Sequence, residues 1–359
     1  MTTLSLLQRV VAIAAVTGLL VGFSLSGARA QDSSDLSVRP TSGDTAAARA
    51  AINVRRHATP PRTSQRSAPA SRPAELSSAS SAANVGAAAS AASLSPQVLV
   101  RYPADVVYQG GAVVEFAESH AVYLQPNGHC PISECWGNPE GFLRDFAGSE
   151  FAHVLDQYAG LTANNRYTLG RRARVSYTPP SVPLTDNDVL AFVHSVASVT
   201  GQTGYGHIYH VFLPPGQDEC FDATFTVCYS PDNNSSFAFC AYHSSADFTD
   251  IGHVLYSVEP YQDVFGCSDP PGTPNGQLVD STNDTLSHEL SETISDPDGT
   301  GWWNSTPSVT GLEGEEIGDE CVFITPPAFG DPSVFRIDDK LYAVQLEYSN
   351  SKHGCTNTP

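Results

Sequence analysis

Basic residues are scarce once the chain passes Val98. Residues 98–359 carry nine Lys or Arg against 34 Asp or Glu. So acidic a field repels nucleic acid and anionic lipid surfaces, and no nucleic-acid partner is expected. Long apolar runs are also lacking. The run Val10–Phe23 is too short for a comfortable membrane span, and no later segment is a candidate, so no stable membrane insertion is expected. No two cysteines have C-x-x-C spacing, which argues against a metal–thiolate cluster. No G-x-S-x-G occurs. Ser287, His288 and Glu289 are consecutive, so they point in different directions around a helix and cannot form a triad among themselves. A D-x-D-G run begins at Asp296, but Pro307 stands where an EF-hand loop needs its twelfth-position Glu.

What is present divides the chain in three. Arg9, the apolar run and Ala28-Arg29-Ala30 have the form of a secretion signal cut after Ala30, so residues 1–30 read as a signal peptide. Residues 31–97 are rich in Ala, Ser, Pro and Arg and nearly free of large apolar side chains. They read as a disordered linker, wall-spanning tether or pro-segment, because such a stretch cannot bury enough surface to offset its ordering entropy. Residues 98–359 are long enough for one sizeable core. All eight cysteines lie there, and an even count in an exported chain predicts four disulfides. Sequence leaves the connectivity open; nearest-neighbour pairing would join Cys130 to Cys135, Cys220 to Cys228, Cys240 to Cys267 and Cys321 to Cys355. The expected location is secreted or extracellular, with the periplasm as the other compartment.

Periodicity predicts a strand or two in Ala112–Leu124 and a helix in Pro139–Tyr158. A short strand follows at Arg172–Tyr177, then a helix capped by Thr185 with Asp186 and Asp188 in its first turn. Strands are predicted at His207–Leu213, Phe237–Tyr242 and His253–Val258, and a hairpin at Phe335–Tyr348. This alternation predicts an α/β or α+β fold, with a twisted mixed sheet packed on helices.

The chemistry concentrates in the next helix, expected near 280–296. His288 and Glu292 are four apart and share one side of it, with Asp284 and Asp296 extending the row. Leu286, Leu290 and Ile294 form an apolar row at the same spacing, and Pro297 marks the boundary. The pattern H-E-L-S-E is one residue from H-E-x-x-H, with Glu292 in place of the second zinc-binding His. Glu289 lies between the two ligand candidates, where it could serve as general base. Glu316 or Asp319, from E-I-G-D-E-C, or His243 at the end of a strand, would supply a third ligand; His207 and His210 are a further source. One divalent metal is expected, zinc ahead of calcium, since carboxylate is also a zinc ligand although a harder one. The competing reading is a hydrogen-bonded helix histidine beside a solvated acidic face.

Read together, Ser287–Pro297, Trp302-Trp303, the segment Glu316–Cys321 and Phe239-Cys240-Ala241-Tyr242-His243 resemble the EXORDIUM-like, or phosphate-induced protein 1, family. That family carries a similar A-H-E-L-A-E segment, a W-Y pair, E-I-A-D-L-C and F-C-G-F-H. The resemblance covers roughly residues 110–355 and is strongest over 237–321. It implies an extracellular protein with a role tied to the cell wall or to growth. It also suggests His288, Glu289, Glu292, Glu316, Asp319 and His243 as one site. The order of elements is similar to the catalytic half of zincin metallopeptidases. The expected function is therefore an exported zincin-like hydrolase, foremost a metallopeptidase acting on a peptide. The alternative is a non-enzymatic extracellular protein that binds a cell-wall polymer or glycan and uses the acidic cluster as a structural or calcium site.

Overall fold

The computed structural model describes residues 35–61, 105–126, 130–269, 271, 273–304, 315–322, 333–337 and 339–359. The signal-peptide reading lies outside them. Residues 35–61 correct the expectation of a disordered linker, for they form β1 (Leu36–Val38), α1 (Ser42–Ala50) and β2 (Ile52–Thr59). The cause is local. Thr41 and Asp44 cap each other's backbone at the start of α1, a capping box that turns the following Ala-rich stretch into a helix. The segment is then fastened from outside. Asp44 Oδ1 lies 2.7 Å from His194 Nδ1, and Arg56 Nη2 donates to Asp186 Oδ2 at 2.6 Å. The remainder of the expected linker, 62–97, lies outside the described residues.

Six further strands complete one mixed sheet: β3 (Ala117–Pro126), β4 (Tyr167–Leu169), β5 (Ala173–Tyr177), β6 (His207–Phe212), β7 (Ala241–Phe248) and β8 (Gly252–Glu259). The order across it is β1-β5-β3-β6-β8-β7-β2, and β4 also pairs with β3. Neighbours from β1 to β8 run parallel; β7 is antiparallel to both β8 and β2. Ala121, Val122, Tyr123 and Leu124 are all fully buried, as expected of a parallel strand covered on both faces.

Helices fill those faces. On one side α3 (Asp186–Thr200), started by the expected Thr185 cap, packs with Val122, Leu124, Tyr209 and Val211. On the other, α2 (Pro139–Phe146) and α4 (Gln277–Ser295) pack with Ala121, Tyr123 and Phe212. A hairpin, β9 (Ser333–Ile337) and β10 (Lys340–Val344), and a second antiparallel pair, β11 (Glu347–Ser349) and β12 (Gly354–Thr356), follow α4.

The fold is thus mixed α/β. One strand falls later than expected, since β7 begins at Ala241. Phe237 and Ala238 are taken by the Cys220–Cys228 loop, where Ala238 N–H donates to the Cys228 carbonyl at 2.8 Å. All four disulfides form in nearest-neighbour pairing. Among the described residues no helix is long and apolar enough to cross a membrane.

Candidate metal centre

Helix α4 is polar in sequence yet buried at every position from Asp280 to Ser295. Its hydroxyls make this tolerable by bonding to the helix itself. Ser281, Thr282, Thr293 and Ser295 each donate to the carbonyl four residues back, at 2.6–3.1 Å. Leu286, Leu290 and Ile294 face the apolar core, as their spacing predicts. The opposite row, His288 and Glu292, looks onto the sheet and onto the segment that follows α4.

Below that row the sheet presents its own imidazoles. His57 on β2 and His243 on β7 are directly paired, with ring centroids 5.1 Å apart. The strand register continues the line through Ser257 on β8 to His210 on β6. Beyond α4, a turn of 3₁₀ helix at Asp319–Cys321 brings in Glu316 and Asp319, and the Cys321–Cys355 disulfide anchors it.

Two triads result. Glu316 meets His57 Nδ1 at 2.5 Å through Oε1 and His243 Nε2 at 3.2 Å through Oε2. Glu292 Oε2 lies 3.1 Å from His288 Nε2, and Glu292 Oε1 accepts the Asp319 N–H at 3.0 Å. Glu292 Oε2 also stands 3.7 Å from His243 Nε2, which joins the triads into one cluster. Both candidate sources of a third ligand, the acidic segment and the β7 histidine, therefore reach the helix. His210 does not join the cluster: its Nδ1 lies 2.8 Å from Ser257 Oγ, which donates onward to Glu259. His207 projects from the other face of the sheet, as its spacing from His210 requires.

Each triad places its donor atoms close enough to hold a metal ion. The donor set, three imidazoles with three carboxylates, suits a zinc-class cation better than an all-oxygen ion. The polar bookkeeping agrees. His243 Nδ1, Asp319 Oδ1 and the nearby Asp296 Oδ2 are buried with no hydrogen-bond partner. Uncompensated polar atoms at this density are costly, and a cation is one way to satisfy them. Among the described residues, the ion-pair partners of Glu292 and Glu316 are imidazoles. The D-x-D-G run does not assemble as a calcium loop. Asp296 accepts the Gly301 N–H at 2.6 Å, whereas Asp298 is drawn to His253 Nε2 at 3.2 Å and the Tyr205 hydroxyl at 2.5 Å.

Electrostatics follow from burial opposed by pairing. Burial pushes the His57 imidazole down, but the Glu316 carboxylate, with Asp296 and Glu292 behind it, overcomes this and holds it at about 9. Burial pushes Glu316 up, and His57 and His243 overcome it, leaving about 2. Asp296 has no such rescue: burial, then the Glu316 charge, push it up to about 8. Burial, followed by the Glu292 charge, raises Asp319 well above the usual carboxylate range.

Glu289 sits outside both triads. It points beside β2, where Thr59 Oγ1 donates to its Oε1 at 2.6 Å, and its Oε2 is buried without a partner. Burial keeps its carboxyl well above the ordinary range, although the His288 charge pulls the other way. A narrow crevice lined by Thr59, Pro60, Asp284, Thr285, His288 and Gln345 leads to this part of the cluster, and its cavity of about 10 Å³ suits roughly one water. Gln345 Nε2 bonds the Gly318 carbonyl at 2.7 Å and lies 2.8 Å from His288 Nδ1, fixing the ring. Gly318 permits the close approach, for a Cβ there would stand 2.6 Å from His288 Nδ1 and 2.8 Å from Glu292 Oε1.

Sequence reasoning missed His57, Thr59 and Gln345. His57 and Thr59 lay hidden in a stretch dismissed on composition, where the Thr41–Asp44 capping spacing was the available signal. No protein-family model, characterised protein or solved structure compared with the chain matches it.

Proposed function

We propose that this chain is an exported metal-dependent hydrolase with a peptide as the foremost substrate class. The observation that carries this reading is the convergence of three imidazoles and three carboxylates on the buried H-E-L-S-E helix, with orphaned donor atoms among them. His288, Glu292 and Asp319, joined through Glu292 to His243, Glu316 and His57, would hold the cation, zinc in preference to calcium. When bound, such a cation makes water more acidic and polarises a carbonyl. The chain supplies the rest. Gln345 holds the His288 ring, and Asp319 N–H orients Glu292. Glu289 is a carboxyl kept outside the ligand set and braced by Thr59, with its free oxygen suited to move a proton. Export accords with four disulfides, which persist in oxidising compartments.

One observation favours a second reading. Glu292, Glu316, His243 and His288 are all at most 1% exposed, and closed sites are the mark of structural cations. In that reading the chain is an EXORDIUM-like extracellular protein that binds a wall polymer or glycan. The test is to purify the full chain and its Glu289→Gln variant, measure bound metal by mass spectrometry, and assay both on a peptide library. A hydrolase gives stoichiometric metal in both and cleavage by the wild type alone. Metal in both with no cleavage by either favours the structural reading. No metal after zinc reconstitution defeats the hydrolase reading.

A further inference from the structure

On the far face of the sheet, remote in register from the buried cluster, a second set of donors comes together. Glu118 and His120 are alternate residues of β3 and so share a face, and His207 on β6 is the direct register partner of Glu118. This is the α3 side of the sheet, since Val122 and Leu124 continue the same alternation into the α3 core. We propose that Glu118, His120 and His207 form a second site for a zinc-class divalent cation, separate from the α4 cluster and independent of its function.

The geometry is that of ligands around a common centre. His120 Nε2 and His207 Nδ1 are 3.1 Å apart. Two nitrogens bound to zinc at about 2.0 Å in a tetrahedral shell stand about 3.3 Å from each other. Glu118 Oε2 lies 3.7 Å from the His207 nitrogen and 3.8 Å from that of His120, so a small rotation of one carboxylate closes the triangle.

The surroundings fix these atoms as they would fix ligands. His120 Nδ1 lies 3.0 Å from the Arg171 carbonyl. A carbonyl only accepts, so Nδ1 carries the proton and Nε2 presents its lone pair to the site; this is the usual arrangement behind a metal-binding histidine. Gly170 closes over the ring so tightly that a Cβ there would stand 2.4 Å from His120 Cε1. Tyr209 stacks on the ring's side at 5.1 Å and is itself tied to the Gln202 carbonyl. Gln202 Nε2 donates to Glu118 Oε2 at 3.1 Å and orients the carboxylate.

Nitrogen donors exclude calcium and magnesium as the preferred guest. Three protein donors leave a fourth position. The side chains of Glu118 and His207 are 43% and 24% exposed, so that position faces solvent. The arrangement is therefore the open type, able to take water or a carboxylate from outside.

The experiment uses the full chain, stripped with chelator, reconstituted with zinc alone and desalted. Zinc content is read by mass spectrometry for wild type, His207→Asn, Glu118→Gln and the α4-cluster variant His288→Asn. Both outer-face substitutions lie at solvent-accessible positions, and the melting temperature of each stripped variant checks its fold. The expected result is one zinc fewer per chain in His207→Asn and in Glu118→Gln, with that zinc retained in His288→Asn. Equal zinc content in wild type and His207→Asn overturns the site, whether the α4 cluster fills or stays empty. In that case Glu118, His120 and His207 are an ordinary hydrogen-bonded group.

Discussion

Chelation should destabilise this protein in a manner that grows with pH. Without a cation, Asp296 has a folded-state pKa of about 8 against an ordinary 3.8. A folded pKa above the unfolded one contributes stability that is full below pH 3.8 and is lost as pH rises through 8. His57 acts with the same sign: its folded pKa of about 9 exceeds the ordinary 6.5, so its contribution is full below 6.5 and is lost through 9. Glu316 has the opposite sign, with a folded pKa of about 2, and loses its contribution only as pH falls below its ordinary 4.5. From about pH 5 to 9 the metal-free protein therefore weakens. At pH 7 the protonated Asp296 alone costs on the order of 4 kcal/mol, from roughly three pH units at 1.36 kcal/mol each. At a few degrees per kcal/mol for a domain of this size, the drop in Tm is on the order of 10 °C. A cation takes the place of those protons and cancels the loss. Differential scanning calorimetry of the loaded protein with and without EDTA should show a small difference near pH 5 and a large one near pH 8. A difference that is flat in pH, or larger at pH 5, would refute the reasoning.

Four further outcomes are expected. Thr59→Val removes the donor to Glu289 and should cost about 1–3 kcal/mol in urea unfolding, with metal content unchanged. Gly318→Ala should lower zinc affinity of the α4 cluster, because the added methyl displaces His288 or Glu292; isothermal titration with zinc reads it, and unchanged affinity would show that the turn yields freely. The domain should present no free thiol under denaturing conditions. Replacing Cys321 and Cys355 together by Ser should cost about 2–5 kcal/mol and weaken the metal hold of Asp319.

How far the sequence foretold the molecule depends on the kind of signal. The α4 site was legible because a helix repeats every 3.6 residues, so His288, Glu292, Leu286 and Leu290 declare their two faces without any tertiary knowledge. Glu316 and Asp319 were legible only as candidates, since a turn has no period. His57 was illegible for a physical reason. A strand at the sheet edge needs little apolar content, and β2 with its two arginines derives its order from β7 and from Asp186, not from its own composition. The same holds for Glu118, His120 and His207. Their meeting is a matter of register between β3 and β6, and register is set by the whole sheet.

Because β2 carries His57 and pairs along the length of β7, the chain between Pro61 and Asp105 joins two parts that already hold each other. Cleavage there would not release a dispensable leader. It would leave a two-chain particle, with residues 35–61 seated as a non-covalent complement: one species on a native column and two bands once denatured. Added back as a synthetic peptide, that segment should restore what its removal abolishes, in the manner of a split protein.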